Sequence, residues 1–596
     1  MADINKLITD NISVWTNAVQ FSSSRGRGKS KKLTLHGVKK LRDLILELAV
    51  HGKLVPQLPS EEPASMLLER LVNYKSKLVK EKLIKKTKNL PELTSEDLPF
   101  KVPESWTWCR LQDISSYIQR GKGPKYDDLG KVKVISQKCI QWSGFDIEPA
   151  RFVNDESLEK YQDERYLQSN DLLWNSTGTG TVGRINVLEK VQEKTLVADS
   201  HVTVIRSLLF NPKFISIYIS APGIQARIDP EHENALVSGS TKQVELNTSS
   251  VVSLEIPLPP EEEQNRIVEK VEELMALCDQ LEKQTETSID AHQLLVEELL
   301  STLTNSEDAQ EFEQNWARIA EHFDLLFTTE HSIEQLKQTI LQLAVMGKLV
   351  PQDPNDEPAS KLLKRIAQEK EQLIKDKVIK KPKPLLGKQE ELPQIQLPES
   401  WALCRLSELV PQFQNGASSR GDAEGEDVVV LRLADIEDWK ISLANTRSIQ
   451  INQMSIERYS LQKDDVLIIR VNGSADIVGR FISSEIDHEA IYCDHFIRMR
   501  FPIKCFDSKY LSLLGSSSMI RDNIEKLFIS TAGQKTVNQT HIGSLCVALP
   551  PLSEQKRIVS KINSLINLCE QLKQSIQAVK KTQVDLADSI VQKALS

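Results

Sequence analysis

The sequence predicts a mixed α/β (α+β) protein of two similar halves, with two pseudo-symmetric globular modules separated by long coiled-coil helices. A copied phrase carries this prediction: LRDLILELAVHGKLVPQ, residues 41–57, returns as LKQTILQLAVMGKLVPQ at 336–352, with twelve of seventeen positions identical. Its period far exceeds the roughly 20–50 residues of solenoid repeats. Heptad-spaced apolar residues and short β-branched runs are the two other observations, and they indicate coiled coils and strands.

The copied frame extends beyond that phrase and encloses two segments that differ. The matching pairs are 61–71 with 356–366, 79–88 with 374–383, 103–111 with 398–406, and 258–283 with 549–574. Between the last two landmarks of each half, residues 110–256 and 405–547 have little in common. The frame is therefore copied, whereas the modules inside it are not.

The frame is predicted to be helical because its apolar residues alternate at spacings of four and three, which is a heptad seam. Proline pairs precede both seams and suit the first turn of a helix. Gly52 and Gly347 follow the predicted helical part of the copied phrase, as helix-ending glycines do. The predicted helices are 261–303, 552–594, 62–86 and 357–381.

The modules are predicted to mix strands with helices. Runs such as KVKVIS, LVADSHVTVIR, VVVLRLADI, DVLIIRV and FIRMRF are short, β-branched and bounded by turn residues. FISIYISAPGIQARI and YLSLLGSSSMIRDNIEKL are predicted helices. We expect five segments: an N-terminal helical segment with a basic linker (1–100), a first module (101–260), a central helical spacer (261–397), a second module (398–551), and a C-terminal helix (552–596).

The composition excludes several classes of protein. No apolar run approaches the ~20 residues of a membrane helix, and the N-terminus lacks the apolar core of a signal peptide. Eight scattered cysteines form no CxxC pair, which argues against disulfides and zinc and for reduced thiols in a cytoplasmic protein. The net charge is −8, and neither module has the basic excess of a self-sufficient DNA binder.

Two glycine-rich motifs need an explanation. GRGKS (26–30) lacks the first glycine of a phosphate-binding loop, because position 23 is Ser23. GTGTVG (178–183) has the GxGxxG spacing, but a strand, a turn and a strand are predicted after it, where a dinucleotide site requires a helix. The matching stretch IIRVNGSADIVGR keeps only Gly473 and Gly479. A loop that approaches another backbone such as DNA, a structural turn, and a nicotinamide or S-adenosylmethionine site remain open.

Motifs of catalysis are missing from the sequence. It contains no [DN]PP[YF] tetrapeptide, HExxH or GxSxG. His201 with Asp199, and His495 with Asp494, are interpreted as structural side chains, with a catalytic pair as the alternative. We therefore predict no catalytic residue, no metal and no cofactor bound by this chain, and not an enzyme in its own right.

A duplicated frame around two divergent modules resembles the specificity (S) subunit of Type I restriction–modification enzymes, in particular the subgroup called family B. LAVHGKLVPQ and LAVMGKLVPQ, the PESW module openings and the LPPxxEQxRIV helix starts carry the resemblance. It implies that each module is a target recognition domain for one half of a bipartite double-stranded DNA site. A coiled-coil scaffold that binds only proteins, without sequence-specific DNA binding, is the alternative.

The resemblance also implies partners for the chain. The helices would pair as antiparallel coiled coils, 261–303 with 357–381 and 552–594 with 62–86, so that the C-terminal helix meets the N-terminal segment. They would set the half-site spacing and dock methyltransferase (M) subunits, two in number. Restriction (R) subunits would join through the complex. S-adenosylmethionine, ATP and Mg²⁺ are expected in those partner subunits.

Candidate DNA-contacting residues follow from loop position and side-chain type, since Arg, Lys, Asn and Gln can bond two atoms of one base edge. For each of them, an ordinary surface residue is the alternative. In the first module they are Lys122, Lys125, Gln137, Lys138, Asn175, Thr177, Thr179 and Lys242. In the second module they are Arg420, Arg432, Arg470, Asn472, Ser474 and Lys535.

Overall fold

The chain forms two compact units in the computed structural model. Unit 1 comprises Met1–Ile289 with Ala578–Ser596, and unit 2 comprises Asp290–Gln577. The end of the chain therefore belongs to the unit that its first half builds. The structure describes residues 4–23, 31–159, 161–178, 180–240, 243–307, 309–377, 379, 396–418, 425–531 and 533–595. GRGKS (26–30) lies outside them.

Eighteen α-helices lie within the described residues. They are α1 (Ile4–Asp10), α2 (Ile12–Asn17), α3 (His36–Val50), α4 (Ala64–Lys80), α5 (Asp155–Leu158), α6 (Pro212–Ser220), α7 (Pro222–Ala226), α8 (Thr248–Ser253), α9 (Glu261–Thr304), α10 (Ala309–Glu321), α11 (Phe323–Leu326), α12 (Glu330–Val345), α13 (Ala359–Lys375), α14 (Gln453–Tyr459), α15 (Ser508–Leu514), α16 (Ser518–Lys526), α17 (Gln539–Ser544) and α18 (Leu552–Leu595).

The two modules contain most of the strands. Those up to the end of the first module are β1 (Val19–Ser23), β2 (Lys31–Leu35), β3 (Thr107–Arg110), β4 (Ser115–Arg120), β5 (Tyr126–Asp127), β6 (Lys133–Ile135), β7 (Ile140–Gln141), β8 (Gly144–Phe145), β9 (Arg151–Val153), β10 (Leu172–Asn175), β11 (Ile185–Val187), β12 (Leu196–Ala198), β13 (Val202–Ser207), β14 (Val237–Ser240), β15 (Gln243–Leu246) and β16 (Glu255–Leu258). Those of the second are β17 (Ala402–Arg405), β18 (Gln412–Asn415), β19 (Glu426–Leu431), β20 (Ile436–Glu437), β21 (Lys440–Ile441), β22 (Arg447–Ile451), β23 (Val466–Ile469), β24 (Val471–Asn472), β25 (Phe481–Ser483), β26 (Ile491–Tyr492), β27 (Phe496–Arg500), β28 (Ile529–Thr531), β29 (Gln534–Thr536) and β30 (Cys546–Leu549). The predicted mixed fold is confirmed.

The two modules share one topology despite their different sequences. In unit 1 an antiparallel sheet has the order β11-β10-β13-β4, and a second sheet has the order β12-β6-β9-β5. In unit 2 the counterparts are β25-β23-β27-β18 and β26-β19-β22. The second sheet of each module contains one parallel pair, β6 with β12 or β19 with β26. The frame is thus not the only copied part, because the backbone plan of the modules is copied too.

A buried ion pair recurs in the antiparallel sheet of each module. Arg206 donates two hydrogen bonds to Asp171, at 2.7 and 2.8 Å, and Arg500 donates two to Asp465, both at 2.6 Å. Both carboxylates are fully buried. A buried carboxylate needs a bidentate cation of this kind to offset its lost hydration. The pair therefore belongs to the shared scaffold.

The long helices begin and end close to their predicted bounds, whereas the two shorter ones end early. Helix α4 ends at Lys80, not at residue 86, because Lys82 adopts a left-handed backbone with φ of 59°. Helix α13 ends at Lys375, followed by Lys377 with φ of 55°. The lysine run after α4 therefore lies beyond the helix.

The copied phrase ends each of its helices, α3 and α12, in the same way. Gly52 and Gly347 take φ values of 66° and 74°, and the next residue donates its N–H five positions back, from Lys53 to Leu48 and from Lys348 to Leu343. This is the Schellman motif, which favours glycine at the left-handed position. A Cβ at either glycine would lie 2.5 Å from a proline Cγ. The predicted helix-ending role is confirmed.

Three landmarks of the frame meet in one hydrogen-bonded chain, which we call the joint. In unit 1, Ser105 donates to Gln57 at 2.8 Å, and Gln57 donates to the buried Glu263 at 2.6 Å. In unit 2 the joint consists of Ser400, Gln352 and Glu554, with distances of 2.6 and 2.7 Å. The copied phrase, the PESW opening and the LPPxxEQ helix start therefore recur together because they bond to one another.

Ion pairs connect the long helices to α3 and α12. Arg42 of α3 bonds to Asp279 and Glu282 of α9, at 2.6 and 2.9 Å. Near the end of α18, Asp588 lies 3.1 Å from both His36 and Lys40 of α3. In unit 2, Lys337 of α12 bonds to Glu570 of α18, and Gln335 to Glu297 of α9. We expected α9 to pair with 357–381 and α18 with 62–86, whereas these contacts join α9 and α18 to α3 and α12. Segment 62–86 contacts α9, where Arg70 lies 3.5 Å from Glu261.

The remaining predictions about the environment can be compared directly with the structure. All eight cysteines are free thiols, seven of them buried. Among the described residues, no helix is both long enough and apolar enough to cross a membrane.

Candidate nucleic-acid interface

The segment that contains GTGTVG forms a loop at the end of β10. We call it the first VGR loop (residues 176–184, described except for 179). The loop begins and ends beside β10. Its first residue also bonds to the turn before β13 and to β15. The backbone bonds that fix it are Asn175 N to Arg184 O (2.8 Å), Gly183 N to Asn175 O (3.0 Å), Ser176 N to His201 O (2.8 Å) and Leu246 N to Ser176 O (2.7 Å).

The second VGR loop (residues 470–480) repeats this pattern at the end of β23. Its bonds are Ile469 N to Arg480 O (3.1 Å), Gly479 N to Ile469 O (2.7 Å), Arg470 N to His495 O (2.7 Å) and Val537 N to Arg470 O (3.0 Å). The same four backbone contacts therefore hold two loops that share few side chains. After each loop comes a strand, β11 or β25, and not the helix of a dinucleotide-binding turn.

Each loop is also held by one side chain that the sequence analysis missed. Gln225 of α7 donates to Gly183 O at 3.1 Å. Arg521 of α16 donates to Val478 O at 2.8 Å and to Ala475 O at 2.6 Å. Gln225 lies 42 positions after Gly183, and Arg521 lies 42 positions after the matching glycine, Gly479. An equal offset from the VGR motif in both halves was the signal that could have revealed them.

Close packing explains why each loop keeps its last glycine. Gly183 and Gly479 adopt φ values of 92° and 77°. A Cβ at Gly183 would lie 2.9 Å from Gln225 Oε1, and one at Gly479 would lie 2.5 Å from Ile524 Cγ2. The loop backbone is therefore pressed against α7 or α16, and a side chain at either glycine would displace it.

The VGR arginine ties each loop to a neighbouring hairpin. Arg184 donates to the side chain of Gln141 in the β7–β8 hairpin and to Gly180 O at 2.7 Å. Arg480 donates to Asp476 O at 2.9 Å, and its guanidinium lies 4.5 Å from the ring of Trp439 in the β20–β21 turn. Burial lowers the pKa of Arg480. These arginines therefore order the loop and are largely engaged within the protein.

In unit 1 the structure brings several of the predicted residues to the first VGR loop. Gln137 Oε1 accepts from Thr181 at 3.2 Å, and Thr177 Oγ1 lies 2.5 Å from His201 Nδ1. Lys138 follows Gln137 and is exposed. Lys122 is exposed beside this group, 5.9 Å from the ring of Tyr161. These four predicted residues form a polar, partly exposed surface.

Asn175 is a correction to the predicted site. Its side chain has no exposed surface, and its Nδ2 donates to Gln137 O at 3.1 Å and to Ile140 O at 3.4 Å. It therefore connects β10 to the turn before β7 and does not face solvent. Lys125 is exposed but lies apart from the loop, with Nζ 3.8 Å from Glu156. Thr179 and Lys242 lie outside the described residues.

In unit 2 four predicted residues meet at the second VGR loop. β24 pairs with β29, so that Asn472 is opposite Lys535. Lys535 Nζ donates to Gly473 O at 3.4 Å, and Asn472 Oδ1 accepts from Ser474 N at 2.9 Å. Arg470 donates to Asp494 O at 3.3 Å. Two cations and two small polar side chains thus share this partly exposed surface.

Arg432 is engaged elsewhere, and Arg420 lies outside the described residues. Arg432 donates to both carboxylate oxygens of Asp435, at 3.2 and 3.0 Å, and this carboxylate raises the pKa of the guanidinium. An arginine held by a bidentate carboxylate has fewer donors left for a base. Its local ion pair explains its position without any ligand.

The two histidines belong to the loop scaffold. His201 and His495 each accept, through their backbone carbonyls, the first N–H of a VGR loop. Among the described residues, Cys493, Asp494 and His495 place three ligand atoms within 4.8 Å of one another. These side chains contact one another, with His495 Nδ1 3.3 Å from Asp494 Oδ1 and 3.7 Å from Cys493 Sγ. The geometry supports the structural interpretation of both histidines.

Comparisons with known proteins agree with this arrangement of two equivalent modules. The family described as Type I restriction modification DNA specificity domain matches residues 103–291 and 398–581. The chain is 36% identical over 610 residues to the Type I restriction enzyme EcoEI specificity subunit of Escherichia coli, and 37% identical over 606 residues to the EcoAI specificity subunit of Escherichia coli. Each alignment covers 100% of both chains.

A more distant likeness exists to the HsdS subunit from Thermoanaerobacter tengcongensis, with 18% identity and a TM-score of 0.41. It covers 83% of this chain and 98% of that one, and is too remote for comparing positions. Two DNA specificity domains in one chain define the class of protein. The chain belongs to the family of Type I restriction–modification specificity subunits, as the landmarks of the frame predicted.

Proposed function

We propose that each module of this chain reads one half of a bipartite double-stranded DNA target within a Type I restriction–modification complex. One observation carries the proposal: the two VGR loops have the same backbone hydrogen bonds but different side chains. Contacts that position a reader and contacts that specify bases are separate tasks. A common backbone with exchanged side chains is what two readers of different half-sites require.

The residues proposed to face DNA are those grouped at the two loops. Arginine and lysine can bond to guanine, and asparagine and glutamine to adenine. In unit 1 they are Lys122, Gln137, Lys138 and Thr177. In unit 2 they are Arg470, Asn472, Ser474 and Lys535. Lys125, Thr179, Lys242 and Arg420 remain predictions, and Asn175 and Arg432 are proposed to act as scaffold.

The chain is proposed to act without chemistry of its own. Two methyltransferase subunits would dock on its helices, and restriction subunits would join through the complex, in the cytoplasm. S-adenosylmethionine, ATP and Mg²⁺ would be bound by those partners. The net charge of −8 supports this division, because an acidic chain needs partners to supply most of the contacts to phosphate.

Exchange of one module tests the proposal. Residues 110–256 are replaced by the corresponding module of a relative, and methylated sites in host DNA are mapped for the chimera and the parent. We expect one half-site to change and the other to stay. Loss of both half-sites together, or DNA binding that ignores sequence, would contradict independent reading and favour a protein scaffold.

A further inference from the structure

Each module carries a short hairpin whose turn exposes a tryptophan. The β7–β8 turn contains Trp142, which is 57% exposed, and the β20–β21 turn contains Trp439, which is 43% exposed. The turn sequences QWSG and EDWK have only the tryptophan in common, at positions shifted by one residue. Two divergent modules therefore expose an indole ring at the same place in the fold.

The second turn holds its tryptophan in an uncommon conformation. Asp438 and Trp439 both have left-handed backbones, with φ values of 47° and 60°. A bulky residue with positive φ is an outlier, and such residues gather at functional sites. The first turn has its positive φ at Gly144 instead. Trp439 therefore stands at the tip of the β20–β21 turn although this backbone conformation is unfavourable for tryptophan.

Both tips are continuous with the VGR loops. Gln141, which precedes Trp142, accepts from Arg184, and its carbonyl accepts from Asn186 at 3.1 Å. In unit 2 the guanidinium of Arg480 lies directly against the Trp439 ring. Lys138 near the first tip and Lys440 beside the second are exposed cations. A surface that joins an aromatic ring, cations and a polar loop fits nucleic acid.

We propose that Trp142 and Trp439 make apolar contacts with sugars and bases of duplex DNA, beside the half-site that the adjoining VGR loop reads. The inference rests on the proposed function and deepens it, because it adds to each reader a contact that carries no charge. The sugars are the same at every position of the duplex, so contact with them is tolerant of sequence. The tryptophans therefore raise affinity at both half-sites, while the loop side chains choose between bases.

The test uses the chain assembled with its methyltransferase partners and a duplex that contains the mapped target. The variants are Trp142→Ala, Trp142→Phe, Trp439→Ala and Trp439→Phe. Leu129→Ala and Met454→Ala remove apolar residues of the same modules that are 82% and 80% exposed, and serve as matched controls. Dissociation constants are measured over a series of salt concentrations, and assembly is followed by size-exclusion chromatography.

We expect each alanine variant to raise the dissociation constant by roughly 3- to 15-fold, as the burial of about half of an apolar side chain provides. Phenylalanine should recover most of the loss, and the controls should bind like the parent. The slope of affinity against salt should not change, because no phosphate contact is removed. Unchanged affinity in both alanine variants would overturn the inference, and so would a loss of methyltransferase from the complex, which would assign the tips to protein contact.

A further variant separates this inference from the proposed function. Asn472→Ala should change the base preference of one half-site whether or not the tips touch DNA. If Asn472→Ala alters preference while the tryptophan variants bind normally, only the inference fails. If neither affects DNA binding, the reading role of the loops fails as well.

Discussion

Replacing Arg521 with alanine removes the two hydrogen bonds that hold the second VGR loop against α16. The side chain is 9% exposed and donates to the carbonyls of Val478 and Ala475. A hydrogen bond from a charged group contributes about 1.5–3 kcal/mol. The Ala475 carbonyl is partly exposed and regains water, so that we expect unit 2 to lose about 2–4 kcal/mol of unfolding free energy, including the cavity left behind.

The effect on recognition separates positioning from mere stability. A wrong base pair costs about 1–3 kcal/mol in specific binding. A displaced loop should therefore lose roughly 5- to 100-fold of its discrimination at one half-site. Competition binding with duplexes scrambled in either half-site measures this, and urea unfolding measures stability. Arg521→Gln, which introduces the residue type found at Gln225, should retain more discrimination than alanine.

Gln225→Ala provides the matched experiment in unit 1, because Gln225 holds the first VGR loop in the same way. It should weaken discrimination at the other half-site and leave the half-site of unit 2 unchanged. The reasoning fails if Arg521→Ala destabilises unit 2 while discrimination at both half-sites stays intact. It fails equally if either variant weakens both half-sites by the same factor.

Three further predictions concern the frame. Burial raises the pKa of Glu263, so the charged form is disfavoured in the fold. In urea unfolding, Glu263→Gln should therefore match or exceed parental stability at pH 7 and lose this advantage below about pH 4.5. Glu263→Ala leaves Gln57 unsatisfied and should cost about 1–3 kcal/mol. The hydrogen bond from Arg557 lowers the pKa of Asp356, so Asp356→Asn should cost about 1 kcal/mol at neutral pH, and this cost should disappear as pH falls through the lowered pKa; a pH-independent cost would contradict the linkage. Adding one turn, about 5.4 Å, to α9 should change the preferred gap between half-sites in methylation maps, and an unchanged gap would reject the spacer role.

The helical frame could be predicted from sequence because its signals are local. Heptad spacing and proline starts gave α9 and α18 to within one residue, since such helices bury one continuous stripe. The ends of α4 and α13 could not be predicted in the same way. A left-handed lysine stops each helix, and nothing about lysine favours that conformation.

The candidate site was predicted less completely because it depends on contacts between distant residues. The polar character of Asn175 indicated a surface position, but the packing of β10 turns it inward. Arg432 has a partner only three residues away, and the Asp435 bond was nonetheless missed, because a short 3-10 turn brings the two together. Gln225 and Arg521 differ in chemistry, and only their shared task and their equal distance from the VGR motif relate them.

The joint has a consequence for the gene as well as for the protein. β3 pairs with β16, and β17 pairs with β30. The first and last strands of each module are therefore neighbours, and they lie beside a complete joint. Recombination between the two copies of the phrase at 41–57 and 336–352 would remove one module in frame. The shortened product would still contain every residue of one joint. Duplication, loss and replacement of modules are therefore open to this lineage without redesign of the fold.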